Sequence, residues 1–257
     1  MSVAVAHEIN SSEREASVLV LGNSLGTTAA MWEPVVPALA AHRCLVRYDH
    51  RGQGASPAPP GPYAIADLGR DVVALLDRLE IDRAAYCGVS LGAMVGLWLA
   101  AHAPDRIEAL VVCSGSAHLG NPAAWVERAE AVRAAGSTAP IADAVVGRWL
   151  TPGFAARRPD VADRLRAMVL ASPPAGYAGC CGALERLDLR AELARITAPT
   201  LVIAGAQDTS IPPDHGRAIA AAVPGARFEL LSPAAHIPMA ECPGTVAALI
   251  LRHLGAT

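Results

Sequence analysis

No lysine occurs among the 257 residues; all 21 basic residues are arginine. Schiff-base catalysis, attachment of pyridoxal phosphate and a Walker-type phosphate loop each need a lysine amine, so those chemistries are excluded. Aromatic residues are scarce at 4% against a hydrophobic fraction of 53%, which leaves Ala, Leu and Val to build the core. Long apolar runs are missing too. The longest, around Ser90 to Ala103, falls short of the roughly 18 residues that a membrane-spanning helix requires. The opening "MSVAVAHEIN" has no basic segment and no secretory cleavage site. Neither sign of charge dominates: the net charge is −3 and both signs are scattered, which is no footprint for nucleic acid. No C-x-x-C pair exists for zinc or redox work, and Cys44, Cys87 and Cys113 lie in or beside apolar runs, where a reduced cysteine acts as a small hydrophobe. These absences predict a reduced, cytoplasmic protein without membrane or nucleic-acid partners.

What is present is an alternation of short apolar runs with helical patterns. "SVLVLG" (17–22), "CLVRYD" (44–49), "AAYCGV" (84–89), "IEALVVCSG" (107–115), "PTLVIAG" (199–205) and "RFELL" (227–231) read as strands. Most are apolar at consecutive positions, as strands buried on both faces are. Between them, "IADLGRDVVALLDRLE" puts Ile65, Leu68, Val72, Leu75, Leu76 and Leu79 on one helical face. Helices are also expected after Ser90, after Pro213 and after Glu241. The order implies an α/β fold with a mostly parallel sheet and helices on both sides. From 118 to 190 the rhythm breaks into helical patterns alone, such as "NPAAWVERAEAVRAAG", "PIADAVVGRWLT" and "DVADRLRAMVLA". This stretch reads as a helical cap over the sheet's C-terminal edge, where open α/β sheets bind ligands. Residues 1–117 and 191–257 form the core of that division.

"CGVSLGAMVG" (87–96) surrounds Ser90 with Gly88, Gly92 and Gly96. A strand that turns at once into a helix strains the residue at the bend and crowds its neighbours two before and two after. Very small residues answer that crowding, and Gly96 lets the helix approach the sheet. The pattern G-x-S-x-G is a nucleophile elbow, with the serine hydroxyl exposed at a helix N-terminus. A serine needs a histidine base and a carboxylate that orients it, here in the order Ser, Asp or Glu, His. His236, in "SPAAHIPMAECP" beyond the last strand, is the candidate base, and Asp208, ending "TLVIAGAQD", the candidate acid. His215 and His253 read as surface residues and Asp214 as an N-terminal helix charge. The oxyanion donors fall to the N–H groups of Leu91, directly after the nucleophile, and of Leu25 in "NSLGTT"; an ordinary turn is the other reading of that loop.

With these residues placed, "GNSLGTTAAMW", "RYDHRGQGAS", "CGVSLGAMVGLWLAAHAPDRI", "GYAGCCGALERLDLR" and "AAHIPMAECP" together resemble the 3-oxoadipate enol-lactonases of aromatic catabolism. The resemblance runs from about residue 17 to 254. It implies an α/β-hydrolase fold and a cofactor-free lactonase of the β-ketoadipate pathway that takes a small anionic lactone. His50 and Gln53 stand where the pattern "RYDTRGHG" has Thr and His, and the His236 loop departs from "AAHLSN".

A substrate carboxylate calls for a cation with a bidentate fork. Segment 118–190 holds nine Arg against seven Asp and Glu. Arg128, three residues after Trp125, and Arg148, just before Trp149, are the candidates to bind it, with the two tryptophans beside them. Solvated helix charges and cap core are the plain alternatives for these four. At the level of function the alternatives are a carboxylesterase, another lactone hydrolase, a cofactor-free perhydrolase, or a ligand-sensing protein that keeps the triad.

Overall fold

The computed structural model describes residues 1–10 and 17–256. In chain order the first half runs β1 (His7–Asn10), β2 (Val18–Gly22), α1 (Val36–Ala40), β3 (Cys44–Tyr48), α2 (Ile65–Arg78), β4 (Ala84–Val89), α3 (Leu91–His102) and β5 (Ile107–Cys113). Five helices follow without a strand: α4 (Pro122–Ala135), α5 (Ala139–Val146), α6 (Pro152–Arg157), α7 (Pro159–Ala171) and α8 (Pro174–Glu185). The chain then returns through β6 (Thr200–Gly205), α9 (Pro213–Ala222), β7 (Arg227–Leu231), α10 (Pro238–Glu241) and α11 (Pro243–His253). The strands form one sheet in the order β1-β3-β2-β4-β5-β6-β7, parallel throughout except for β1 against β3.

Each of the six expected strands forms; in all but the half-exposed edge strand β7, consecutive apolar residues serve two cores. On one face Val20, Val46, Tyr86, Leu110 and Val202 pack with α2 and α3. On the other, Leu19, Leu21, Leu45, Cys87, Val111 and Leu201 pack with Leu39, Val246 and Ile250 of α1 and α11. The expected face of α2 is turned inward, with Leu68, Val72, Leu75 and Leu76 fully buried. Strand β5 stops at Cys113, two residues before the sequence pattern suggested, because Ser114 takes a left-handed backbone (φ 47°).

The short helices α1 and α10 were not announced by the pattern, and two further elements run against it. Strand β1, "HEIN", is short, polar and largely exposed; it exists because β3 offers it an edge to pair with. Helix α8 contains three glycines, which argue against a helix locally. Their spacing explains them: a Cβ on Gly179 would lie 2.6 Å from the Tyr63 ring and one on Gly182 2.5 Å from Pro62. Gly176 meets the backbone of Gly52 in the same way. The glycine stripe thus lets α8 press directly onto the loop after β3.

Candidate active site

Ser90 sits between β4 and α3 at φ 56°, ψ −118°, a conformation that an L-residue holds only under strain. Crowding at the bend accounts for the glycines. A Cβ on Gly88 would strike the Gly92 carbonyl, and one on Gly92 the Gly22 carbonyl. Gly96 answers to the sheet instead, since a Cβ there would lie 2.8 Å from the Tyr86 ring. Two backbone hydrogen bonds hold the bend: Ser90 N–H to Cys113 O (3.0 Å) and Gly92 N–H to Asn23 O (2.9 Å).

Asp208 follows β6 and His236 follows β7, so adjacent parallel strands deliver both to the same sheet edge as Ser90. Nδ1 of His236 lies 2.8 Å from Oδ2 of Asp208, and both side chains are buried. A carboxylate only accepts, so Nδ1 carries the proton and Nε2 is left as the basic nitrogen. The other Asp208 oxygen accepts from the N–H groups of Ser210 (2.8 Å) and Ile211 (2.9 Å), which fixes the carboxylate. Ser90 and His236 line one cavity, whose empty space is about 520 Å³ with the solvent at its open mouth included. Among the described residues neither Ser90 Oγ nor His236 Nε2 has a hydrogen-bond partner.

Leu25 lines the same cavity, and Leu91, as the first residue of α3, has an N–H with no intrahelical acceptor. The loop carrying Leu25 is held from several sides. Gly26 N–H donates to Gln53 Oε1 (2.8 Å) and the Thr27 hydroxyl to Ser24 O (2.8 Å). Asn23 donates through Nδ2 to Tyr48 O (2.7 Å) and accepts from Trp32 Nε1 (3.0 Å). Nε2 of His50 contacts Asn23 O at 3.1 Å. The two residues that set this chain apart from the "RYDTRGHG" pattern, His50 and Gln53, are therefore built into the support of the Leu25 loop. Burial lowers the His50 pKa to about 4, so its ring is neutral at pH 7.

All four residues of segment 118–190 singled out in the sequence, Trp125, Arg128, Arg148 and Trp149, line the cavity. Trp149 is buried and Trp125 half-buried. The Arg128 guanidinium stacks 4.6 Å above the Trp125 ring. Burial, and next the positive charge of Arg128, lower the pKa of Arg148; the two cations feel each other. Elsewhere in this segment Arg158, Arg164, Arg166 and Arg186 pair with Asp160, Glu33, Asp143 and Glu185. Among the described residues Arg128 and Arg148 have no carboxylate partner.

The other two histidines weighed in the sequence lie away from the cavity and, as expected, reach the surface, though each is partly sheltered. His215 is half-buried with Nδ1 2.8 Å from Ser116 Oγ, and His253 is half-buried with Nε2 3.2 Å from Pro199 O. Asp214 is exposed in the first turn of α9. Sequence reasoning missed Met94, Leu119, Val145, Tyr177 and Ile211 in the cavity wall. Met94 was within reach of it, one helical turn after Ser90; Tyr177 and Val145 were not, since their placement depends on how the inserted helices fold back. Among the described residues no cluster of three or more His, Cys, Asp or Glu could hold a metal, and no helix is long and apolar enough to cross a membrane.

Comparison with known proteins places this geometry among relatives. Residues 17–243 match the family described as the alpha/beta hydrolase fold. 3-Oxoadipate enol-lactonase 2 of Acinetobacter baylyi is 41% identical over 225 residues, 88% of this chain and 84% of its own. The crystal structure of the enol-lactonase from Burkholderia xenovorans superimposes with a TM-score of 0.95 at 41% identity, covering 98% of this chain and 96% of that one. A Variovorax paradoxus protein with the provisional name carbamate hydrolase RutD is 35% identical over 206 residues, 77% of this chain and 76% of its own.

Proposed function

The chain belongs to the α/β-hydrolase family, among its 3-oxoadipate enol-lactonases, and from that premise we propose that it opens 3-oxoadipate enol-lactone to 3-oxoadipate. It is an enzyme that hydrolyses carboxylic esters; the choice of this lactone is our reading. One observation carries it. Arg128 and Arg148, two guanidinium groups without carboxylate partners, line the same cavity as Ser90 and His236. Holding two cations together at a half-sheltered site costs free energy that an anionic ligand recovers. A neutral ester or carbamate has no use for that charge.

In this reading Ser90 is the nucleophile, His236 the base and Asp208 its orienting partner. Ser90 Oγ attacks the lactone carbonyl carbon as its proton passes to Nε2 of His236. The N–H groups of Leu25 and Leu91 stabilise the oxyanion, as preorganised donors do most effectively. The bond from the carbonyl carbon to the ring oxygen then breaks. That oxygen leaves as an enolate, takes the proton from His236, and the enol becomes the ketone. Because an enolate leaves far more readily than an alkoxide, the step asks little of a general acid. Water next attacks the acyl group on Ser90 and gives its proton to His236, which returns it to Ser90 Oγ as 3-oxoadipate is released. Segment 118–190 acts as a cap that closes the site with Trp125, Arg128, Arg148 and Trp149. The enzyme works in the cytoplasm and without a cofactor.

The test is kcat/KM for enzymatically generated enol-lactone, followed by its loss of absorbance, beside neutral p-nitrophenyl esters and an N-substituted carbamate. The reading expects the anionic lactone to be preferred by orders of magnitude. Equal or better turnover of the neutral compounds would overturn it.

A further inference from the structure

We propose that Glu241 is a positioning residue for His236, a carboxylate that ties the histidine loop to the inserted segment bearing Arg148 and Trp149. The proposal rests on the reading of His236 as the base. Glu241 ends α10, five residues after the histidine. Its Oε1 accepts from the N–H (2.9 Å) and the hydroxyl (2.7 Å) of Thr151, and its Oε2 accepts from the N–H of Ala235 (2.6 Å). On the other side of the histidine, Ile237 N–H donates to the carbonyl of Trp149 (3.0 Å). The residues immediately before and after His236 are thus both fastened to positions 149–151.

This arrangement answers a need that Asp208 does not meet. The Asp208 carboxylate fixes which nitrogen is protonated and the far end of the ring, but one hydrogen bond leaves the ring free to tilt about it. The place of Nε2 relative to Ser90 Oγ is set by the backbone of residues 232–237, which belong to neither strand nor helix. Three hydrogen bonds to one carboxylate, each charge-assisted and therefore stronger than a neutral bond, turn that backbone into part of a frame. The frame extends to the substrate side. Trp149 and Arg148 line the cavity, so the group that receives the substrate's carboxylate and the base that serves its carbonyl stand on one braced unit. Thr151 also caps α6 by accepting from Phe154 N–H (3.3 Å), so the bridge has a structural use as well, and the test must separate the two.

A double-mutant cycle separates them. Glu241→Ala is made in the parent and in His236→Ala, and turnover of enol-lactone is measured in all four proteins after their folding is checked by circular dichroism and Tm. Misplacing a catalytic group by about an ångström costs on the order of a hundredfold in rate. In the parent, Glu241→Ala is therefore expected to lower kcat by about ten- to a hundredfold, with KM within about threefold. In the His236→Ala background the same substitution should change the residual rate by less than about twofold, because the group it positions is gone. Glu241→Gln keeps one acceptor oxygen and should recover part of kcat. Thr151→Val removes the hydroxyl but keeps the N–H and should cost less than Glu241→Ala. If Glu241→Ala does not fold, Glu241→Gln and Thr151→Val enter the same cycle. An equal factor in both backgrounds, a loss confined to KM, or unchanged kcat overturns the proposal. Full activity in His236→Ala alone would instead overturn the assignment of the base.

Discussion

Replacing Arg148 or Arg128 by Met removes a guanidinium and keeps much of the stem's bulk. A hydrogen bond to a charged group is worth about 1.5–3 kcal/mol. Arg148 is exposed and Arg128 half-buried, so solvent screening puts the effect at the lower end, or roughly tenfold in kcat/KM for an acidic lactone. The two variants should differ in what else they disturb. Arg128 covers the Trp125 ring at 4.6 Å, a contact worth about 0.5–1 kcal/mol, so Arg128→Met should also cost neutral substrates about two- to fivefold. Arg148 makes no such contact among the described residues, and its loss should leave neutral esters within about twofold. The double variant should lose less than the product of the single losses, since each substitution relieves the repulsion that lowers the Arg148 pKa. The assay is kcat/KM for the enol-lactone and for a neutral p-nitrophenyl ester, measured side by side in each variant. If acidic and neutral substrates lose the same factor in both single variants, neither arginine reads the carboxylate.

Ser90→Ala should remove turnover by several orders of magnitude without lowering Tm, whereas Ser90→Gly, freed of the strained φ of 56°, should be more stable by about 1 kcal/mol; calorimetry beside the rate assay checks both. Asp208→Asn presents the wrong hydrogen-bond partner to Nδ1 of His236 and should reduce kcat by about four orders of magnitude, while His215→Ala, which breaks only the bond to Ser116, should leave kcat within a few-fold. The reverse ranking in a simple rate comparison would discard the choice of loop. Stability should fall on acidification through His50. Its pKa is about 4 in the folded chain against 6.5 for the free side chain, so between those values the unfolded chain binds the extra proton. The contribution is intact above pH 6.5 and declines as pH drops towards 4, by about 3 kcal/mol in all. Urea titrations of the parent and of His50→Leu across that range should show the slope shrinking in the variant; identical slopes would show that His50 does not carry it.

The amino-acid sequence by itself determined the parts of this protein that depend on neighbouring residues. Strands buried on both faces announce themselves by consecutive apolar positions, as in "AAYCGV", and α2 by its 3.6-residue period. The bend at Ser90 is legible because its steric demands fall on Gly88 and Gly92, two residues to either side. That Asp208 and His236 meet, 2.8 Å apart, was legible as well, since strand ends in a parallel sheet share one edge. Tertiary structure alone decided the rest. Strand β1 has no local signal and forms only against the edge of β3. Helix α8 looks broken by its glycines until Tyr63, Pro62 and Gly52 are seen lying against them. The lack of carboxylate partners for Arg128 and Arg148, the Gln53 and His50 supports of the Leu25 loop, and the Glu241 bridge from Thr151 to Ala235 join residues far apart in the chain. Such contacts arise where the folded chain brings separated segments together, and no run of neighbouring residues encodes where another segment will lie.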